Sequence, residues 1–393
     1  MKKLLSITIL LSLISLFSAC HDLVFANILE DVPPEEATVN GSINSITRYS
    51  IGSNEYLVSY SQDGLIYKSK DDNFHGAWSK YEHLPFSLQN YSYYDSQHYG
   101  QQIIKTAADS TTLYIITCEY TYDSYLGTNV PKKFYIWAAN LSNWTSDPGW
   151  TDLNSSGTFL TFYKEGNYYY TNFNVFCTNA PQKSHRKAFF RNEDKVYNLN
   201  GTSAPTVNSS PVRLSSEPAG NGKLDSAIWF GDQVYLLDAI ASVTNETYTA
   251  NPTYYYLAQD ESANVYYSNG SAPCTKALDA GEAVSTLAVT KDALLIGRSS
   301  ISTSGTYGGI VKAKVNNWIP ESELTGFTTN AAAQMPSSYL INTLLVIDAE
   351  KGETETAMYS TMIFRTVGTS SSVNYDNIGM WSYYPSRGNW NRE

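Results

Sequence analysis

Asp225 and Glu282 stand at or just before two apolar segments, 224–230 and 285–290, that read as the inner strands of neighbouring units. Two carboxylates held about 5–10 Å apart, one with a raised pKa, are what hydrolysis of a glycosidic bond requires. Strand-end acids also cap turns or face solvent, so the pair alone does not make an enzyme. Tyrosine offers a second chemistry. Of the 32 in the chain, Tyr91, Tyr93 and Tyr94 share a polar segment with His98, and Tyr120, Tyr122 and Tyr125 surround Asp123. Tyr248, Tyr307 and Tyr375, the last beside Asp376, fall in further loop-like stretches. A flat ring with a hydroxyl at its tip can stack on a sugar face or anchor a protein partner at low entropic cost. Any single ring can equally pack a loop onto the body of the fold; as a group they mark a binding face.

Other chemistries are poorly represented. GxSxG, HExxH and phosphate-binding glycine loops are absent, and five histidines leave little for a histidine-based centre. The arginines are scattered, without the cluster that grips an acidic sugar. Cys118, Cys177 and Cys274 form an odd set without CxxC spacing. A Cys118–Cys177 bridge is open, but two small buried apolar groups fit them better. Asp71 and Asp72 come nearest to a calcium site, and two adjacent loop acids do not define one, so no cofactor is expected. The formal charge is −11, or −13 without Lys2 and Lys3. That excludes a nucleic-acid surface, which needs clustered Lys and Arg, and an acidic protein is repelled by anionic lipid headgroups.

The elements that must position the tyrosines are short strands. Aromatic residues are 14% of the chain and charged residues only 16%, with no long helical periodicity. One unit recurs: an apolar strand, a tight polar turn, a second apolar strand, a loop and a third strand. The turns fall at Ser53-Asn54, Asp109-Ser110, Glu165-Gly166, Gly231-Asp232, Lys291-Asp292 and near Lys351-Gly352, roughly 56–66 residues apart. Trp78, Trp150, Trp318 and Trp390 announce a fourth, outer strand. The spacing predicts an all-β fold, a six-bladed β-propeller of four-stranded antiparallel blades. A pair of β-sandwiches would not need six hairpins at one period. The segment around Ala37–Ser42 is expected to supply the last outer strand.

As a pattern of blades over residues 42–393, the chain resembles the propeller lipoproteins of Bacteroidota and, more distantly, kelch and sialidase-type propellers. SKDDNFHGAW (69–78) is similar to a stretched sialidase Asp box and carries no catalytic residue over. The resemblance implies that ligands meet the face carrying second-to-third-strand and inter-blade loops. Here those are 119–131, 242–252, 299–308 and 85–100, which hold all of the candidate tyrosines named above except Tyr375, whereas first-to-second turns are expected to be short throughout.

Lys2-Lys3, the apolar stretch Leu4–Phe17, and Ser18-Ala19 before Cys20 have the layout of a secretory signal, too short to cross a bilayer. Its end, LFSAC, resembles the lipobox of bacterial lipoproteins, which implies acylation of Cys20. The expected organisation is a signal peptide (1–19), a tether with Pro33-Pro34 (20–41) and the propeller (42–393). The expected setting is the bacterial cell envelope, at the outer membrane, held by lipid alone. The function these readings favour is binding of a glycan or an envelope protein through the Tyr-rich loops. The alternatives are a glycoside hydrolase using Asp225 and Glu282, and a scaffold in an envelope complex.

Overall fold

A computed structural model describes residues 39, 43–70, 77–88, 100–171, 173–179, 183–192 and 195–207, and beyond these the strands between residues 226 and 393. All belong to the larger of two compact units, Val39–Glu393. Among the described residues the regular elements are strands, with a short 3-10 turn at Lys183–His185. The first sheet is β1 (Thr47–Ile51), β2 (Asn54–Ser61), β3 (Gly64–Ser69) and β4 (Ser79–Lys80), each paired antiparallel to the next. The second is β5 (Gln101–Ala108), β6 (Leu113–Asp123), β7 (Thr128–Ala139) and β8 (Thr151–Asp152). A separate hairpin, β9 (Phe162–Glu165) and β10 (Tyr168–Thr171), precedes the third sheet. That sheet is β11 (Phe173–Cys177), β12 (Ala188–Asn192), β13 (Lys195–Leu199) and β14 (Thr206–Val207).

Two later four-stranded sheets follow the same order, one beginning at Val284–Val289 and one at Tyr339–Ile347. Between them and the third sheet the repeat departs from expectation. The strand paired beside Gln233–Leu237 is the short Asn245–Thr247, and no fourth strand joins them among the described residues. Tyr256–Gln259 pairs with Asn264–Ser268 instead, so this region holds two three-stranded sheets.

The runs of apolar residues are continuous because the sheets are covered on both faces. Leu113–Cys118 of β6 are all buried. Leu113 and Ile115 enter a cluster shared with the first and last sheets, while Tyr114, Ile116 and Cys118 enter one shared with the third. Alternation along the strand thus packs one sheet between two neighbours. β1 lies against β5, β5 against β11, β11 against Ser226–Phe230, that strand against Val284–Val289, and Val284–Val289 against Tyr339–Ile347. The last sheet meets the first: Leu345, Ile347 and Met380 share a core with Ile43 and Leu57, and Arg48 donates to the Val346 carbonyl at 3.3 Å.

Three of these inner strands carry a register shift at a similar place, skipping Ile104, Ser285 and Asn342. A bulge bends a strand and strengthens its twist, and its recurrence marks the sheets as copies of one unit. The outer strand of the last sheet is Asn389–Arg392, not the N-terminal segment. Val39 lies beyond it, its N–H donating to the Glu393 carbonyl at 3.2 Å.

Candidate functional site

β6 and β7 outgrow their sheet. β5 ends its pairing at Gln101 opposite Glu119, but β6 runs on to Asp123 and β7 returns from Thr128. The four-residue loop is built by Asp123, whose Oδ1 accepts the N–H groups of Tyr125 at 2.9 Å and Leu126 at 3.1 Å. Gly127 closes it at φ 64°, a left-handed conformation that costs glycine little, and donates to the Asp123 carbonyl. Asp123 is therefore spent on the turn. Tyr120 is half buried against the core between the second and third sheets. Tyr122 is 41% exposed and Tyr125 86%.

A column of side chains stiffens the root of this hairpin. Glu119 accepts from Lys132 at 2.5 Å and from the Tyr135 hydroxyl at 2.7 Å. The Lys133 ammonium lies 4.3 Å from the Tyr135 ring centre. Tyr135 stacks on Trp137 at 5.6 Å, and Trp137 on Phe86 at 6.0 Å. The Trp137 N–H and the Thr117 hydroxyl both donate to Gln101 Oε1. Because these ring faces cover one another, the column positions the tip and does not itself offer a stacking surface.

Burial would raise the Glu119 pKa, but the hydrogen bonds from Lys132 and Tyr135 and the charges of Lys132 and Lys133 hold it below its ordinary 4.5. A depressed carboxyl stabilises the fold above its unfolded pKa and loses that contribution as pH falls through the folded value. Amide-exchange protection in β6 and β7 is therefore expected to decline below pH 4.5. Glu119→Gln should flatten that decline; a wild-type profile in the variant would refute it.

The second exposed element is β9–β10, which the periodicity had merged into the third repeat. Its two-residue turn, Gly166-Asn167, has Gly166 at φ 59°. Buried Asn154 anchors the approach, donating to the carbonyls of Phe134 and Leu160 and accepting from the N–H groups of Phe159 and Leu160. Phe162 then meets Phe134 at 6.1 Å, so both hairpins rise from one aromatic base. Tyr163 is 43% exposed and Tyr168 69%. Among the described residues, the large apolar side chains left exposed are these two, Tyr122, Tyr125 and Val207. Sequence reading missed Tyr163 and Tyr168 because FYKEGNYYY looks like an inner hairpin.

Taking β9–β10 out of the sheet corrects a second expectation. The first-to-second connection of the third sheet is not a tight turn but the segment 178–187, and it reaches the first sheet. Arg186 pairs with Glu55 at 3.1 Å and donates to Ser50 Oγ at 2.7 Å, while Glu55 also pairs with Arg48 at 2.8 Å. Asn179, at φ 49°, accepts from the Arg48 N–H and donates to the Ile46 carbonyl. In an antiparallel meander this end lies opposite the β6–β7 tip.

Tyr307 falls in a two-stranded hairpin, its backbone opposite Ser300. Tyr91, Tyr93, Tyr94, His98, Tyr248, Tyr375, Asp376, Asp225, Glu282 and Cys20 lie outside the described residues, as do Asp71, Asp72 and Cys274. Cys118 and Cys177 are free thiols in one buried cluster. Burial pushes the Cys118 thiol up to about 12 and raises Cys177 as well, so neither is a nucleophile at neutral pH. Among the described residues, no three His, Cys, Asp or Glu side chains converge on a metal position.

No family model and no curated protein matches the chain. Similar solved structures include YjhT, at 10% identity over 88% of this chain and 95% of that one, with a TM-score of 0.40. A DUF4623 family protein from Bacteroides eggerthii shares 9% identity over 87% of this chain and 70% of that one, with a TM-score of 0.37. A β-xylosidase, RS223, shares 10% over 87% of this chain and 92% of that one, with a TM-score of 0.31. At scores this low they carry no argument, and the all-β architecture of successive antiparallel four-stranded sheets rests on the chain's own strand pairing.

Proposed function

We propose that this chain is a lipid-anchored protein of the bacterial cell envelope whose six-bladed propeller binds glycans through tyrosines on its projecting hairpins. The observation that carries the binding role is the exposure of Tyr122, Tyr125, Tyr163 and Tyr168 on two hairpins rooted in one rigid aromatic base. Exposed rings on a stiff support lose little freedom on contact, and neighbouring Asn and Thr groups supply orientation. Six blades are supported by the succession of inner strands and by the packing of the last sheet on the first. Lipid anchoring is supported by the LFSAC segment and the signal layout before it.

The test is a glycan array probed with the full chain in detergent, each bound glycan being recovered and examined for cleavage. Bound, unaltered glycan is the expected result. Tyr122→Ala combined with Tyr125→Ala is expected to weaken binding at least tenfold, about 1.4 kcal/mol or more, without moving the unfolding midpoint. Silence across the array would sink the glycan reading and leave an envelope protein as the occupant. Cleaved product would bring Asp225 and Glu282 forward as a catalytic pair.

A further inference from the structure

We propose that the ligand bridging β6–β7 and β9–β10 is an extended, neutral oligosaccharide, an inference that rests on the glycan reading above. The first argument is reach. Phe134 and Phe162 meet at 6.1 Å at the base of both hairpins. Cys118 lies opposite Phe134, and Tyr122 is four residues further out, about 14 Å at about 3.4 Å per residue. On the other arm Tyr168 sits opposite Glu165, three residues beyond Phe162, about 10 Å away. A single sugar covers one such ring and leaves the other arm empty. A chain that engages one arm presents its next units to the second, whose contact is then intramolecular and adds affinity without a second encounter.

The second argument is charge. Neither hairpin contains an arginine. Lys132 is engaged by Glu119, Lys133 lies over the Tyr135 ring, and Lys164 lies 5.2 Å from the Tyr169 ring centre. Positions 163, 165 and 168 share one face of β9–β10, which sets the Glu165 carboxylate beside two exposed rings. Glu165 can accept hydrogen bonds from sugar hydroxyls and repels a uronate or a sulfate. Acidic glycans call for a bidentate cation that these arms do not supply, and the chain's charge of −11 adds to the repulsion.

The experiment titrates the full chain in detergent with cello-, xylo-, malto- and chito-oligosaccharides of two to six units, and with oligogalacturonates as the acidic probe. In at least one neutral series Kd is expected to fall tenfold or more between the disaccharide and the longest member. Tyr168→Ala is expected to remove that gain with length, so that the variant binds the longest member no more tightly than it binds the disaccharide. Affinity independent of length would overturn the bridging proposal and leave the glycan reading standing. Tightest binding of the oligogalacturonates would overturn its neutral character, and no binding in any series would overturn both readings.

Discussion

Glu55→Ala is expected to lower the thermal unfolding midpoint by roughly 5–10 °C, from a loss of about 3–5 kcal/mol. Glu55 sits between the guanidiniums of Arg48 and Arg186, at 2.8 Å and 3.1 Å, with side-chain exposures of 2% and 1% for the two arginines. Attraction between buried charges only offsets what their desolvation costs, so the pair adds little beyond an apolar replacement. Removing the shared carboxylate is different, because two buried cations then face each other. Their segments also part: Arg48 lies on β1 and Arg186 on the connection 178–187, so the loss loosens the third sheet from the first. Glu55→Gln retains hydrogen bonding without the charge and should fall between wild type and Glu55→Ala. A midpoint unchanged in the alanine variant would show that the arginines are held by other means.

The second large effect is expected at Glu393. Its carboxylate accepts from Lys68 at 2.5 Å and from the Trp78 indole N–H at 2.8 Å, with side-chain exposures of 4% for Lys68 and 9% for Glu393. Its backbone joins Val39 and Met380. Glu393→Ala takes the carboxylate from a buried ammonium and an acceptor from the indole, at about 3 kcal/mol. Urea titration followed by Trp fluorescence should show an earlier transition. Combining Lys68→Met with Glu393→Leu, which replaces both charges by apolar groups, is expected to recover most of the loss. Failure of the double variant to recover would place the effect in the backbone contacts instead.

How far these features could be read from the sequence depends on how local their causes are. The strands were legible because a sheet covered on both faces must be apolar at every position, and LYIITC in β6 reads that way without any knowledge of its neighbours. The third repeat was misread for the converse reason. A glycine turn looks the same in an inserted hairpin as in a blade, and Glu165-Gly166 happened to fit the period, whereas the true connection, 178–187, did not. The partition of tyrosines is likewise not local. Tyr120 packs and Tyr122 is exposed, two residues apart on the same side of one strand, because the core ends between them. Asp123 carried an ambiguous signal, since the oxygen that could face a ligand is the one that closes its turn.

Lys68 and Glu393 are 325 residues apart, which places a bond of the first sheet beyond almost all of the chain. On the ribosome, residues are added at about 5–20 per second, so the first sheet waits tens of seconds for its last partner. Until then the apolar side chains of Ile43 and Leu57 lack the Leu345, Ile347 and Met380 that cover them. Most strand pairings join consecutive strands, so each sheet can form early, and it is the meeting of the last sheet with the first that comes late. The nascent first sheet must be shielded from its own kind until the strands that carry Leu345, Ile347 and Met380 have been made.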